Sequence, residues 1–98
     1  MKRILVCEDE TSIREFVVIN LKRSGYDVLE AGSGEEALAL FDQEKGNVDI
    51  ALLDIMLPGM DGFAVCRELR AKSDTIGIIM LTARTQEMEK VGGLMMGA

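Results

Sequence analysis

Four short apolar runs alternate with segments of helical periodicity along the chain. Three of them are almost continuously apolar, which is typical of strands buried on both faces, and the second alternates between apolar and polar residues. The runs predict strands at residues 4–7, 26–31, 48–53 and 76–81.

The segments between and after these strands predict four helices. Gly25 ends the first helix, and Ser33 with Glu36 has the form of a capping box that opens the second, which ends near Gly46. The fourth helix begins at Thr85. The predicted inward-facing positions are Ile13, Phe16, Val17 and Leu21, then Ala37, Leu38, Leu40 and Phe41, then Phe63, Val65, Cys66 and Leu69, and last Met88, Val91, Leu94 and Met95.

The order of the elements is βαβαβαβα, which requires crossover connections and therefore a parallel sheet. Helices of these lengths do not all fit on one face of a small sheet. The sequence thus predicts an α/β fold, a doubly wound parallel sheet with helices on both faces. A chain of 98 residues is expected to form one domain, 1–98.

Charge narrows the range of partners. The chain has 17 acidic and 11 basic residues and a net charge of −6, so we expect no direct binding to nucleic acid or to an anionic membrane. An acidic net charge suits a protein that binds cations or basic partners. The sequence contains no histidine, which excludes histidine-based acid–base chemistry and histidine-ligated metals within this chain.

The two cysteines and the start of the chain favour a cytosolic protein. Cys7 and Cys66 are far apart in sequence and are expected to be reduced, buried thiols. The apolar run at 4–7 is four residues long, too short for a signal peptide or a membrane span.

Acidic residues follow two of the predicted strands. Glu8 and Asp9 come directly after the first strand, and Asp54 ends the third. Ligands of open parallel sheets bind beyond the carboxyl ends of the strands, so these side chains are expected to meet if the two strands are neighbours. Carboxylates that share a pocket recruit a hard cation, and Mg²⁺ with one or two carboxylates and water is the expected ion. The carbonyl of Met56 is a further candidate ligand.

Asp54 is the candidate nucleophile at this edge of the sheet. Beside a bound cation, its second carboxylate oxygen could attack a phosphoryl group. Thr82, after the fourth strand, offers a hydroxyl donor, and the loop at Thr82 and Ala83 offers backbone N–H groups. Taken singly, each residue has a commoner role in a turn or cap, so the prediction depends on the combination.

Three segments of the chain carry a family resemblance: ILVCEDE at 4–10, LLDIMLPGMDG at 52–62 and IMLTAR at 79–84. In this order and spacing they closely resemble the receiver domain of two-component response regulators. The resemblance implies the flavodoxin-like form of the doubly wound fold, with four βα units here.

The same resemblance implies roles for the site residues. Asp54 would be the phosphoacceptor of a sensor histidine kinase. Asp9 would bind Mg²⁺ directly, Glu8 through water, and Met56 by its carbonyl. Thr82 would be the switch residue, beside the small Ala83.

The protein is therefore expected to be a switch rather than an enzyme. The subfamily that it most resembles carries a winged-helix DNA-binding domain and controls transcription.

The resemblance ends before a fifth strand with a Lys-Pro pair and a fifth helix, so we expect the chain to be an incomplete receiver without its effector domain. The lysine that contacts the phosphoryl group would then be missing, which predicts slow or unstable phosphorylation. Binding of Mg²⁺ is expected to be weaker than in a complete receiver but not abolished, since Glu8, Asp9 and Asp54 remain. The fourth strand would be an uncovered edge, and self-association through it or through the segment at 88–96 is expected.

Two other functions remain open from the sequence. The chain could be a receiver-like interaction module with an inert site. It could also be a metal-dependent phosphatase or hydrolase with an aspartyl-phosphate intermediate, although such enzymes place a second Asp where this chain has Met56.

Overall fold

The structure, a computed structural model, describes residues 2–81 and the backbone of Leu94–Met96. The elements in chain order are β1 Arg3–Cys7, α1 Thr11–Arg23, β2 Asp27–Ala31, α2 Gly34–Gln43, β3 Ile50–Asp54, α3 Gly62–Lys72, β4 Gly77–Leu81 and β5 Leu94–Met96. The strands form one sheet in the order β2-β1-β3-β4-β5.

Strands β1 to β4 run parallel, which confirms the predicted α/β fold. Leu5 of β1 lies opposite Leu29 of β2 and Ala51 of β3. Because β1 and β3 are neighbours, the loops after both strands lie at the same edge of the sheet.

The alternating side chains of β1 divide the core into two layers. Ile4 and Val6 pack with Val18 of α1 on one face, while Leu5 and Cys7 belong to the larger cluster on the other face. That second cluster also contains Ala37 and Phe41 of α2 and Val65, Cys66 and Leu69 of α3. Helices therefore cover both faces, and the central strand is buried from Ile4 to Cys7 as its apolar run predicted.

Two aromatic residues predicted to face inward are exposed. Phe16 is 70% exposed and Phe63 is 51% exposed, so both predictions are wrong. Each lies two residues before a buried valine, Val18 in α1 and Val65 in α3. Two residues turn a helix by about 200°, which places each phenylalanine on the side away from the sheet.

The capping pattern at the start of α2 is confirmed with one change of partner. The Ser33 hydroxyl accepts a hydrogen bond from the N–H of Glu36 at 3.1 Å. The Glu36 carboxylate reaches back one residue further than expected and accepts from the N–H of Gly32 at 2.8 Å. The first bond satisfies an N–H group that a helix start leaves unpaired, and the second ties the residue before the N-cap to the first turn.

The structure corrects the prediction for the end of the chain. Leu94–Met96 is a strand rather than part of a helix, and it pairs antiparallel with β4 so that Leu94 lies opposite Leu81. Strand β4 is therefore not an uncovered edge at residues 79–81, because β5 pairs with the backbone of these residues. The predicted self-association through β4 assumed an uncovered edge and is no longer expected. Self-association through the segment at 88–96 stays a prediction. The rest of the predicted fourth helix lies outside the described residues.

Among the residues that the structure describes, no helix has the length and apolar character needed to cross a membrane.

Candidate functional site

Three carboxylates meet at the carboxyl ends of β1 and β3. Glu8 and Asp9 follow β1, and Asp54 is the last residue of β3. One oxygen from each lies within 4.8 Å of the others. Glu8 is 1% exposed and Asp54 is 0% exposed, whereas Asp9 is partly exposed. The predicted clustering of these residues is therefore what the structure shows.

Glu8 is held through both its main chain and its side chain. Its N–H donates to the carbonyl of Ala31, at the end of β2, at 3.0 Å. Its carboxylate accepts from the N–H of Glu10 at 3.0 Å. Its carbonyl accepts from Nη1 of Arg14 at 2.8 Å. This loop is thus fixed to the first turn of α1 and to β2.

Asp54 is oriented by the loop that follows it. Its Oδ1 accepts a hydrogen bond from the N–H of Met56 at 3.1 Å. The next peptide is fixed on two sides: Ile55 donates to the carbonyl of Leu81 at 3.3 Å, and its own carbonyl accepts from Gly62 at 3.2 Å. The loop therefore turns tightly above Asp54 and brings Met56 back to the carboxylate.

The electrostatics of the site favour a cation. Carboxylates that are buried and close together repel one another and lose hydration, so a hard divalent ion with oxygen ligands stabilises the arrangement. The donor set of Glu8, Asp9 and Asp54 fits Mg²⁺. Asp9 is the most exposed of the three carboxylates.

Cys7 lies at the same edge of the sheet and feels the same charges. Burial, followed by the charges of Asp54 and Glu8, raises the pKa of its thiol to about 12. The thiol donates a hydrogen bond to the carbonyl of Ser33 at 3.3 Å. Both Cys7 and Cys66 are free and buried, as the sequence predicted.

A mostly apolar cleft of about 520 Å³ opens beside Asp9. It runs along the loop between β3 and α3, and the exposed Met56 and Phe63 form part of its wall. The lining residues are Asp9, Ile55, Met56, Leu57, Pro58, Asp61 and Phe63. The lining side chains are therefore apolar apart from those of Asp9 and Asp61.

Two of the predicted site residues, Thr82 and Ala83, lie outside the described residues. They come directly after Leu81, which lies opposite Asp54 in the pairing of β3 with β4.

The family model for the response regulator receiver domain matches residues 4–98 of this chain. The chain belongs to this family.

Two curated relatives support the same assignment of the receiver. This chain is 50% identical over 97 residues to the alkaline phosphatase synthesis transcriptional regulatory protein PhoP of Bacillus subtilis, and the match covers 99% of this chain and 40% of that protein. It is 46% identical over 97 residues to the probable transcriptional regulator ycf27 of Porphyridium aerugineum, covering 99% of this chain and 39% of that protein. The receiver thus spans about 40% of the length of the curated relatives it matches.

Solved structures share the fold of the receiver. The response regulator TrrA of Thermotoga maritima, determined in complex with Mg²⁺ and BeF, is 43% identical with a TM-score of 0.79, covering 93% of this chain and 76% of that one. A complex of the histidine kinase ThkA with TrrA gives 45% identity and a TM-score of 0.77, covering 88% of this chain and 72% of that one. The predicted flavodoxin-like receiver fold and the family resemblance are both confirmed.

Sequence reasoning missed two residues that shape the receiver's site. Arg14 binds the Glu8 carbonyl, and Gly62 lies against the main chain of Asp54. Gly62 stands within the matching segment at 52–62, but its contact depends on how the loop folds back. Nothing in the spacing of Arg14 distinguishes it from an exposed helix residue.

Proposed function

We propose that Asp54 is the phosphoacceptor of this receiver and takes its phosphoryl group from a sensor histidine kinase. The observation that supports this most directly is the meeting of buried Asp54 with Glu8 and Asp9 at one edge of the sheet. The complex of ThkA with TrrA concerns a related receiver and supports a kinase as the partner.

Each carboxylate has a separate part in the proposed site. Asp9 would bind Mg²⁺ directly, Glu8 through water, and the carbonyl of Met56 would complete the set with Asp54. When bound, Mg²⁺ would neutralise charge on the transferring phosphoryl group. The bond from Met56 N–H to Asp54 Oδ1 orients that carboxylate, and the carboxylate oxygen that does not bind the ion would be the attacking atom.

We propose that Thr82 and Ala83 complete the site from the end of β4. Support comes from the pairing of β3 with β4, in which Leu81 lies opposite Asp54. The residues that follow Leu81 therefore leave the sheet beside Asp54. Thr82 would donate its hydroxyl to a phosphoryl oxygen and so report phosphorylation to the rest of the molecule.

The wider role follows from the relatives, which are transcriptional regulators by name. We propose that residues 1–98 act as one receiver domain and as a switch, not as an enzyme on a separate substrate. Its output would be transcriptional control through a winged-helix DNA-binding domain outside this chain, and its location would be the cytosol.

Phosphorylation with acetyl phosphate and Mg²⁺, followed by mass spectrometry, tests the proposal. The wild type should gain one phosphoryl group, and Asp54→Asn should gain none. Asp61→Asn is the matched control, because Asp61 lines the same cleft but caps α3 by accepting from Ala64 at 2.8 Å. A phosphoryl group retained in Asp54→Asn would refute the assignment, and an unmodified wild type would favour an inert receiver-like module.

A further inference from the structure

The side chain of Arg14 reaches from the first turns of α1 back to the acidic loop. Its Nη1 donates to the carbonyl of Glu8 at 2.8 Å, and its Nε lies 3.4 Å from Oε1 of Glu30. The Arg14 side chain is 20% exposed and that of Glu30 is 43% exposed. The guanidinium therefore links the end of β2 to the end of β1.

This contact acts on the peptide group that joins Glu8 to Asp9. A peptide group is planar, so the direction of the Glu8 carbonyl also sets the positions of the nitrogen and Cα of Asp9. On the other side of Glu8, its N–H is bound to the carbonyl of Ala31 at 3.0 Å. Ala31 and Glu30 are successive residues of β2. One anchor of the acidic loop is thus the Ala31 carbonyl of β2, and the other is Arg14 of α1, whose guanidinium pairs with Glu30 of the same strand.

We propose that Arg14 is a positioning residue of the metal site, which holds the Glu8–Asp9 peptide in the orientation that Mg²⁺ binding requires. This inference rests on the proposed function. Arg14 does not touch the ion; it acts through the main chain, and Glu30 fixes the direction of its guanidinium. Residues that orient metal ligands from behind commonly contribute about tenfold or more to affinity.

The chemistry of arginine suits this role better than that of lysine. A planar guanidinium presents donors in a fixed fork, so Nη1 and Nε can serve a carbonyl and a carboxylate at once. A lysine ammonium could reach one of the two acceptors, but it would not hold a fixed direction between them. We therefore expect lysine to restore the function only in part.

The chain contains a matched control at the opposite end of β1. Arg3 also bridges elements, with Nε 2.7 Å from Asp27 and Nη1 2.7 Å from Glu44. Its side chain is 27% exposed, close to the value for Arg14. Arg3 is the first residue of β1 and Glu8 follows the last one, so loss of the Arg3 side chain removes ion pairs without touching the acidic loop.

The test is a Mg²⁺ titration of the 98-residue chain followed by NMR, with thermal unfolding measured in parallel without Mg²⁺. Arg14→Met should weaken Mg²⁺ binding about tenfold, Arg14→Lys should recover part of the loss, and Arg3→Met should bind as the wild type does. An affinity in Arg14→Met equal to that of the wild type overturns the inference. So does an equal loss in Arg3→Met, which would indicate a general effect of stability.

If Arg14→Met does not fold, the same Mg²⁺ titration of Glu30→Gln tests the inference, because this variant removes only the charge that orients the guanidinium. A weakened affinity in Glu30→Gln supports the role, and an unchanged one overturns it. Asp9→Asn separates this inference from the proposed function. If the wild type binds Mg²⁺ and Asp9→Asn does not, the metal site stands whatever Arg14 does, whereas a wild type without Mg²⁺ binding refutes both.

Discussion

Gly62 lies directly against the main chain of Asp54. A Cβ atom on Gly62 would overlap the carbonyl oxygen of Asp54 and lie 2.9 Å from the Cα of Ile55. The N–H of Gly62 also donates to the carbonyl of Ile55 at 3.2 Å. The start of α3 therefore packs against the residue that carries the site, and only glycine fits there.

Substitution of Gly62 by alanine should destabilise the protein and disturb the site together. Overpacking of this kind costs about 1–3 kcal/mol of unfolding free energy. Gly77→Ala is the control, because a Cβ there meets its neighbours at an ordinary 3.6 Å. Urea unfolding measures both variants, and equal stability of the two would contradict the close contact at Gly62.

Removal of the Ser33 hydroxyl should weaken the start of α2. The hydroxyl caps the helix through the N–H of Glu36, and loss of such a cap costs about 1 kcal/mol. Ser33→Asp keeps an acceptor at this position and should retain most of the stability that Ser33→Ala loses. The prediction fails if thermal unfolding places Ser33→Asp at or below Ser33→Ala.

Two apolar residues of α3 should differ sharply in their contributions to stability. Leu69 is 0% exposed, whereas Phe63 is 51% exposed. Leu69→Ala should cost about 2–5 kcal/mol because it leaves a cavity, and Phe63→Ala should stay within about 0.5 kcal/mol. Chemical denaturation measures the unfolding free energy of both variants. A large loss of stability in Phe63→Ala would indicate that this side chain is buried in the core.

The Cys7 thiol should resist alkylation while the protein is folded. It is 0% exposed, and burial with the nearby carboxylates raises its pKa to about 12. At neutral pH the reactive thiolate is therefore scarce as well as inaccessible. Iodoacetamide should label Cys7 in urea but not in buffer, as peptide mass mapping would show. Rapid labelling of the native protein would be inconsistent with the burial of this strand.

Magnesium should stabilise the fold through Asp9. A ligand that binds only the native state raises the unfolding free energy by about 2.7 kcal/mol at a hundredfold excess over its Kd. Asp9→Asn should lose this gain, while Asp74→Asn, an exposed residue before β4, should keep it. Thermal unfolding with and without Mg²⁺ provides the measurement. A gain that persists in Asp9→Asn would place the ion elsewhere.

Much of the fold and of the site was predictable because the signals are local. The run at Ile4–Cys7 predicts a buried strand whatever surrounds it, since both faces of its pleat are apolar. The alternation of strands and helices leaves few topologies, and a parallel sheet collects strand ends at one edge. Asp9 and Asp54 could therefore be expected at one edge of the sheet, and side by side if β1 and β3 were neighbours, as they are.

What the tertiary structure alone decided concerns contacts between segments distant in sequence. Periodicity does not fix which side of a helix meets the sheet, so Phe16 and Phe63 were placed inward although both are exposed. The pairing of Leu94–Met96 with β4 satisfies backbone groups that could also have been satisfied within a helix. Arg14 and Gly62 influence the site through main-chain atoms, Glu8 O and Asp54 O, which every residue type possesses. The sequence thus determined which side chains gather at the strand ends, and packing determined how those side chains are held.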